Sequence, residues 1–118
     1  MNIELGQHST SLAVKDIQAS KDFYETLGFN VLEGLGSFEE KWLIMQKGGV
    51  TIGLFQDMFE SNIITFNPTD ARSVHKHLKS NGVDIISESE SIKNEKGICH
   101  FMISDPDGNT LLFDQHNE

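Results

Sequence analysis

Apolar and polar residues alternate along most of this chain, and two stretches replace the alternation with helical spacing. Between Asp16 and Leu27, residues Ala19, Phe23 and Leu27 recur every four positions. Asp16 offers a side-chain cap and Gly28 suits the left-handed residue that ends a helix. Pro68 followed by Thr69 or Asp70 opens a second helix, with Ala71, Val74 and Leu78 on one face and Gly82 as its stop. Alternation predicts strands at 3–14, 29–35, 42–46 and 50–56 around the first helix, and at 63–67, 84–90, 98–104 and 110–115 around the second. Gly48-Gly49 marks a two-residue hairpin, and Asp105-Pro106-Asp107-Gly108-Asn109 marks a tight turn. The chain thus reads as strand–helix–three strands written twice: one domain, with modules at about 1–57 and about 61–118.

Laying one module on the other matches Ser9 with Ile63 and Gly53 with Leu112, to within about one residue. Alternation separates two faces. Leu12, Val14, Ile52, Leu54, Cys99, Phe101, Ile103, Leu111 and Phe113 form apolar rows that two helices would cover. The intervening positions mix Ser9, Ser11, Phe55, His100, Met102, Leu112 and Asp114. Large apolar groups with a few placed polar ones suit a ligand cavity better than a wet surface. A two-residue turn at Gly48-Gly49 puts Trp42 opposite Phe55 on this mixed face; a three-residue turn sends Trp42 into the core. Both stay open.

Composition narrows the function classes. The 118 residues are 37% hydrophobic, and no run is long enough to span a membrane. Nine Lys and Arg against eighteen Asp and Glu give a net charge of −9, which repels nucleic acid. A single cysteine, Cys99, fits a reducing compartment, and no secretory signal is visible at Met1, so a cytoplasmic protein is expected. Cys99 falls in the apolar row, where a thiol without a basic neighbour is inert.

Leu12-Ala13-Val14-Lys15-Asp16, Ser20-Lys21-Asp22-Phe23-Tyr24-Glu25-Thr26-Leu27-Gly28-Phe29 and Asp105-Pro106-Asp107-Gly108-Asn109 resemble the vicinal oxygen chelate superfamily. That superfamily includes glyoxalase I, extradiol dioxygenases and the fosfomycin- and bleomycin-resistance proteins. The resemblance implies an α+β fold: two βαβββ modules forming a curved mixed sheet around a shared cavity, helices on the outer face, often as a homodimer. It also implies a divalent metal held by a His in the first strand and a Glu in the last strand of each module. Here those places hold Ser9, Gly53, Ile63 and Leu112. Three have no donor atom and a lone hydroxyl is a poor ligand, so no metal or other cofactor is expected. A displaced site would have to draw on His8, His100, Asp114, Gln56 or Asp57. His75 and His77 are read as a solvated helix face, and His116 as a surface residue.

Two lines of chemistry remain. Pairing Ser104 with Thr110 across the last hairpin sets His100 opposite Asp114, so the carboxylate would orient an imidazole general base. Ser9, Ser11, Trp42, Gly53, Phe55, Ile63, Met102 and Leu112 would surround a ligand. The expectation is a protein that binds a small organic molecule without metal, like the bleomycin-resistance branch. The alternatives are a lyase, isomerase or dioxygenase using a displaced metal or the His100–Asp114 pair, and an interaction module with a collapsed cavity.

Overall fold

A computed structural model describes residues 3–117. Their element order is β1 (Gln7–Val14), α1 (Ile17–Thr26), β2 (Asn30–Ser37), β3 (Trp42–Lys47), β4 (Val50–Gln56), β5 (Ile63–Asn67), α2 (Ala71–Ser80), β6 (Ser87–Glu88), a 3-10 turn at Glu90–Lys93, β7 (Cys99–Ser104) and β8 (Thr110–Gln115). Parallel and antiparallel strand pairs beside two helices make an α+β fold. The chain groups into two compact units. Ser9–Ile63 form one, and the residues up to His8 join those from Ile64 onward in the other.

In the Ser9–Ile63 unit the strands run in the order β2-β3-β4-β1. Lys47 pairs with Val50 and Trp42 with Phe55, so the Gly48-Gly49 turn has two residues and Trp42 stays off the core face. Leu43, Met45, Ile52 and Leu54 bury one face of the sheet against Ile17 of α1. Burying each such side chain contributes about 1.5–3 kcal/mol. The ends of α1 follow the local signals. Asp16 Oδ1 accepts the Ala19 N–H at 3.1 Å. At the other end the Gly28 N–H reaches Glu25 O and the Phe29 N–H reaches Tyr24 O, with Gly28 at φ 97°. The inward face differs from expectation. Phe23 is 58% exposed and Leu27 51%, whereas Ile17 is 6% exposed and Tyr24 packs beside it. The Ile17 N–H is anchored to Gln56 Oε1 at 2.8 Å, and Phe29 folds back edge-on to Tyr24. Those two attachments rotate the Phe23 stripe outward.

In the other unit the order is β5-β8-β7-β6. Ala71 and Val74 of α2 pack on Cys99, Phe101, Ile103 and Phe113, with Leu78 joining from the same helix face. Asp70, not Thr69, caps α2, accepting the Ser73 N–H at 3.1 Å. Gly82 and Val83 close its end as Gly28 and Phe29 close α1. β1 begins at Gln7 rather than at residue 3. Ile3 and Leu5 pack on the core instead, and Glu4 Oε1 accepts both the N–H and the hydroxyl of Thr69 at 2.8 Å. The strand expected at 84–90 shrinks to Ser87–Glu88; beyond it, the Arg72 guanidinium donates to the carbonyls of Ser91, Ile92, Lys96 and Gly97 and holds that segment as a turn and loop. His75 is no solvated residue. Its Nε2 lies 2.9 Å from Glu88 Oε1, and its ring meets Phe101 edge-on at 5.0 Å. His77 is also partly covered, its Nδ1 buried. Nearly perpendicular to Phe101, the His75 ring lies where a long polar side chain of α2 can cover the core. No helix among the described residues is long and apolar enough to cross a membrane.

Candidate functional site

The two modules repeat down to single hydrogen bonds. The capping residues Asp16 and Asp70 each stand seven positions after Ser9 and Ile63. Gln56 and Gln115 each stand three positions after Gly53 and Leu112. Gln56 Oε1 accepts the first N–H of α1, and Gln115 Oε1 the first N–H of α2, both at 2.8 Å. A side-chain carbonyl at the end of each module's last strand thus docks that module's helix. This shared device fixes Ser9 as the equivalent of Ile63 and Gly53 as the equivalent of Leu112.

Within the Ser9–Ile63 unit, Ser11 pairs with Gly53 and Ala13 with Phe55 across parallel strands, while Ile44 and Trp42 face the same two β4 residues from β3. Paired residues point to one side. Ser9, Ser11, Trp42, Gly53 and Phe55 therefore share the face turned away from α1. Ser11 and Gly53 are buried; Ser9, Trp42 and Phe55 are half-buried. The Trp42 and Phe55 rings lie parallel to within 3°, centroids 6.0 Å apart, and Phe59 adds a third ring 5.3 Å from Phe55. Phe59 was not anticipated, since it sits in the segment after β4 where no periodicity applies. Gly53 makes this arrangement possible. A Cβ there would run into the Phe55 ring and stand 3.3 Å from Ile44 Cδ1.

In the other unit His100 pairs with Asp114, Met102 with Leu112 and Ser104 with Thr110, as the hairpin register predicts. These side chains share the face opposite Phe101 and Phe113. The Asp114 carboxylate has its ion-pair contact with His116, whose Nε2 lies 3.4 Å away. The His100 N–H donates to Ser89 Oγ at 3.1 Å, and its side chain is exposed. Ile63, the last residue of the Ser9–Ile63 unit, is buried at the start of β5; it alternates with Ile64, and Phe66 on that second row packs on the core of the other unit. A shallow groove lined by Val83, Asp84, Ile86, Ser104, Asp105 and Pro106 contains none of the predicted site residues. Burial raises the Cys99 thiol pKa, which keeps it protonated and unreactive.

The sequence matches the Glyoxalase/Bleomycin resistance protein/Dioxygenase superfamily model over residues 6–113. The chain belongs to that superfamily. A superfamily member from Vibrio splendidus 12B01 is 18% identical, with TM-score 0.66 over 92% of this chain and 97% of that one. Methylmalonyl-CoA epimerase from Mycobacterium tuberculosis is 12% identical, with TM-score 0.72 over 100% and 93%. A catechol 2,3-dioxygenase is 14% identical, with TM-score 0.64 over 99% of this chain and 43% of that one. At such identities the likeness is one of fold. A search of curated proteins finds no significant match.

The four positions that the resemblance assigns to a divalent metal carry one hydroxyl, one glycine and two hydrocarbon side chains, a set that does not fit such an ion. The residues considered for a displaced site are committed elsewhere or scattered. His8 Nδ1 bonds Thr65 O at 3.1 Å, Gln56 caps α1, and Asp57 pairs with Lys41 at 3.2 Å. Among the described residues no three His, Cys, Asp or Glu side chains converge as a metal site.

Proposed function

We propose that this superfamily member binds a small organic molecule on the sheet faces turned away from its helices, without a chelated metal. The observation that carries this reading is Gly53. Where the superfamily places a carboxylate, this chain has no side chain, and the Phe55 ring covers the vacated space. On the Ser9–Ile63 unit, Ser9, Ser11, Trp42, Phe55 and Ile63 supply the mostly apolar lining, with a few hydroxyls, that small-molecule sites use, and on the other unit Met102 and Leu112 stand on the sheet face away from α2. A cytoplasmic homodimer is the form in which we expect it to act. Metal analysis of protein purified without chelators, with thermal shifts across a metabolite panel, tests this. We expect no stoichiometric Zn, Ni, Mn or Fe and at least one stabilising small molecule. A bound metal in stoichiometric amount overturns the reading, as does a panel without a single shift.

A second reading, acid–base catalysis by His100 aimed by Asp114, draws on the register that sets the two opposite each other. The proximity of His116 to Asp114 weighs against it. If a turnover is found, His100→Gln leaving it unchanged removes this reading.

A further inference from the structure

The shallow groove on the unit built around α2 combines apolar and acidic walls. Val83 is packed on the core, whereas Ile86 lines the groove with 59% of its surface exposed, and Pro106 across from it is exposed as well. The Ile86 backbone is fixed, since its N–H donates to Met102 O at 2.9 Å just before β6 begins. β6 ends the sheet, and no strand among the described residues lies on its outer side. Such an edge presents main-chain groups that an extended chain can use.

The charge around the groove has one sign. From Val83 to Glu90 and from His100 to Gln115 the chain carries Asp84, Glu88, Glu90, Asp105, Asp107 and Asp114, and neither lysine nor arginine. Asp84 is exposed and has no ion pair among the described residues. Asp105 is held in place by its own turn. Its Oδ1 accepts the N–H of Asp107 at 2.9 Å and of Asn109 at 2.8 Å, and its Oδ2 accepts from Asn109 Nδ2 at 2.8 Å. All three donors are neutral, so the negative charge of Asp105 stays uncompensated at the groove. The Asp105–Asn109 turn therefore sets a carboxylate and a proline ring on one wall.

We infer that this groove docks an extended basic segment of another protein, with an apolar side chain against Ile86 and Pro106 and a flanking lysine or arginine beside Asp84 and Asp105. The apolar contact supplies an anchor, and the two carboxylates select the charge. A second copy is a poorer occupant, because each chain has a net charge of −9 and like charges repel. A small molecule is a poorer occupant too, because its sites bury most of the ligand and this groove is shallow. The groove holds none of the residues assigned to the small-molecule face, so the two readings stand or fall separately.

Three short capped peptides separate the ingredients: lysine alternating with leucine, glutamate alternating with leucine, and lysine alternating with serine. Each is titrated into the isotope-labelled full chain, with calorimetry for affinity and amide chemical shifts for location. The lysine–leucine peptide is expected to bind, with the other two about tenfold weaker or more. Its amide shifts should concentrate at residues 83–89 and 104–109. Asp84→Asn and Ile86→Ser change exposed side chains and leave the core intact; each should weaken that peptide about fivefold or more. Equal binding of the lysine–serine peptide marks general charge attraction and overturns the inference. So do shifts spread over the acidic surface, affinities indifferent to both variants, or no binding at millimolar peptide. Sedimentation without peptide covers the remaining occupant: a dimer that Ile86→Ser dissociates assigns the groove to a second copy instead.

Discussion

Gln115 is 4% exposed, and both ends of its amide are engaged. Oε1 accepts from the Ala71 N–H and, at 3.8 Å, from the Cys99 thiol, while Nε2 donates to Gly97 O and Asn117 O at 3.2 Å. Removing the amide strands a buried N–H at the start of α2. Gln115→Ala is therefore expected to cost about 2–3 kcal/mol in urea unfolding. Gln56→Ala, at a half-buried site, should cost about 1 kcal/mol. Equal small losses for both would show that water satisfies the freed helix N–H groups. At this scale the sequence announced Asp16, and Asp70 beside Thr69 as alternatives, because capping is local. It did not announce the glutamines, because their partners lie 39 and 44 positions away.

Elements carry a second lesson. The boundaries of α1 and α2 were legible because a cap and a following glycine act within a few residues. Which face of α1 turns inward was not. The four-residue recurrence of Ala19, Phe23 and Leu27 is genuine, but the helix is oriented by its attachments at Ile17 and Phe29. Ile17→Ala should then cost about 2–4 kcal/mol in urea unfolding, as a core deletion does. Phe23→Ser should stay within about 0.5 kcal/mol, as a surface change does. A larger loss at Phe23 than at Ile17 would contradict the observed orientation. Beyond the shortened β6, Arg72 gathers carbonyls of Ser91, Ile92, Lys96 and Gly97, partners that alternation gives no sign of.

Across the whole molecule, acid sensitivity should come from carboxylates held ionised by local donors. The Ser73 hydroxyl, at 2.6 Å, and then the Ser73 N–H lower the pKa of Asp70. His75 lowers that of Glu88, and the Asn109 side chain followed by the Asn109 N–H lowers that of Asp105. A depressed folded pKa stabilises the protein above the unfolded carboxylate value, near about 4, and that stabilisation is lost as pH falls through the folded value. Melting temperature should decline steeply below about pH 4, and Asp70→Asn should flatten that decline. An unchanged slope would assign the sensitivity elsewhere.

The sequence by itself determined the doubled strand–helix–strand order, the neighbourhood of the helix ends, the register of the last hairpin and the superfamily, because caps, glycines and alternation act between near neighbours; the register at Gly48-Gly49 it left open. Tertiary structure alone decided the partial covering of His75, the outward turn of Phe23 and the settling of the Phe55 ring over Gly53. Each of those depends on which distant groups meet, and local pattern carries no record of that.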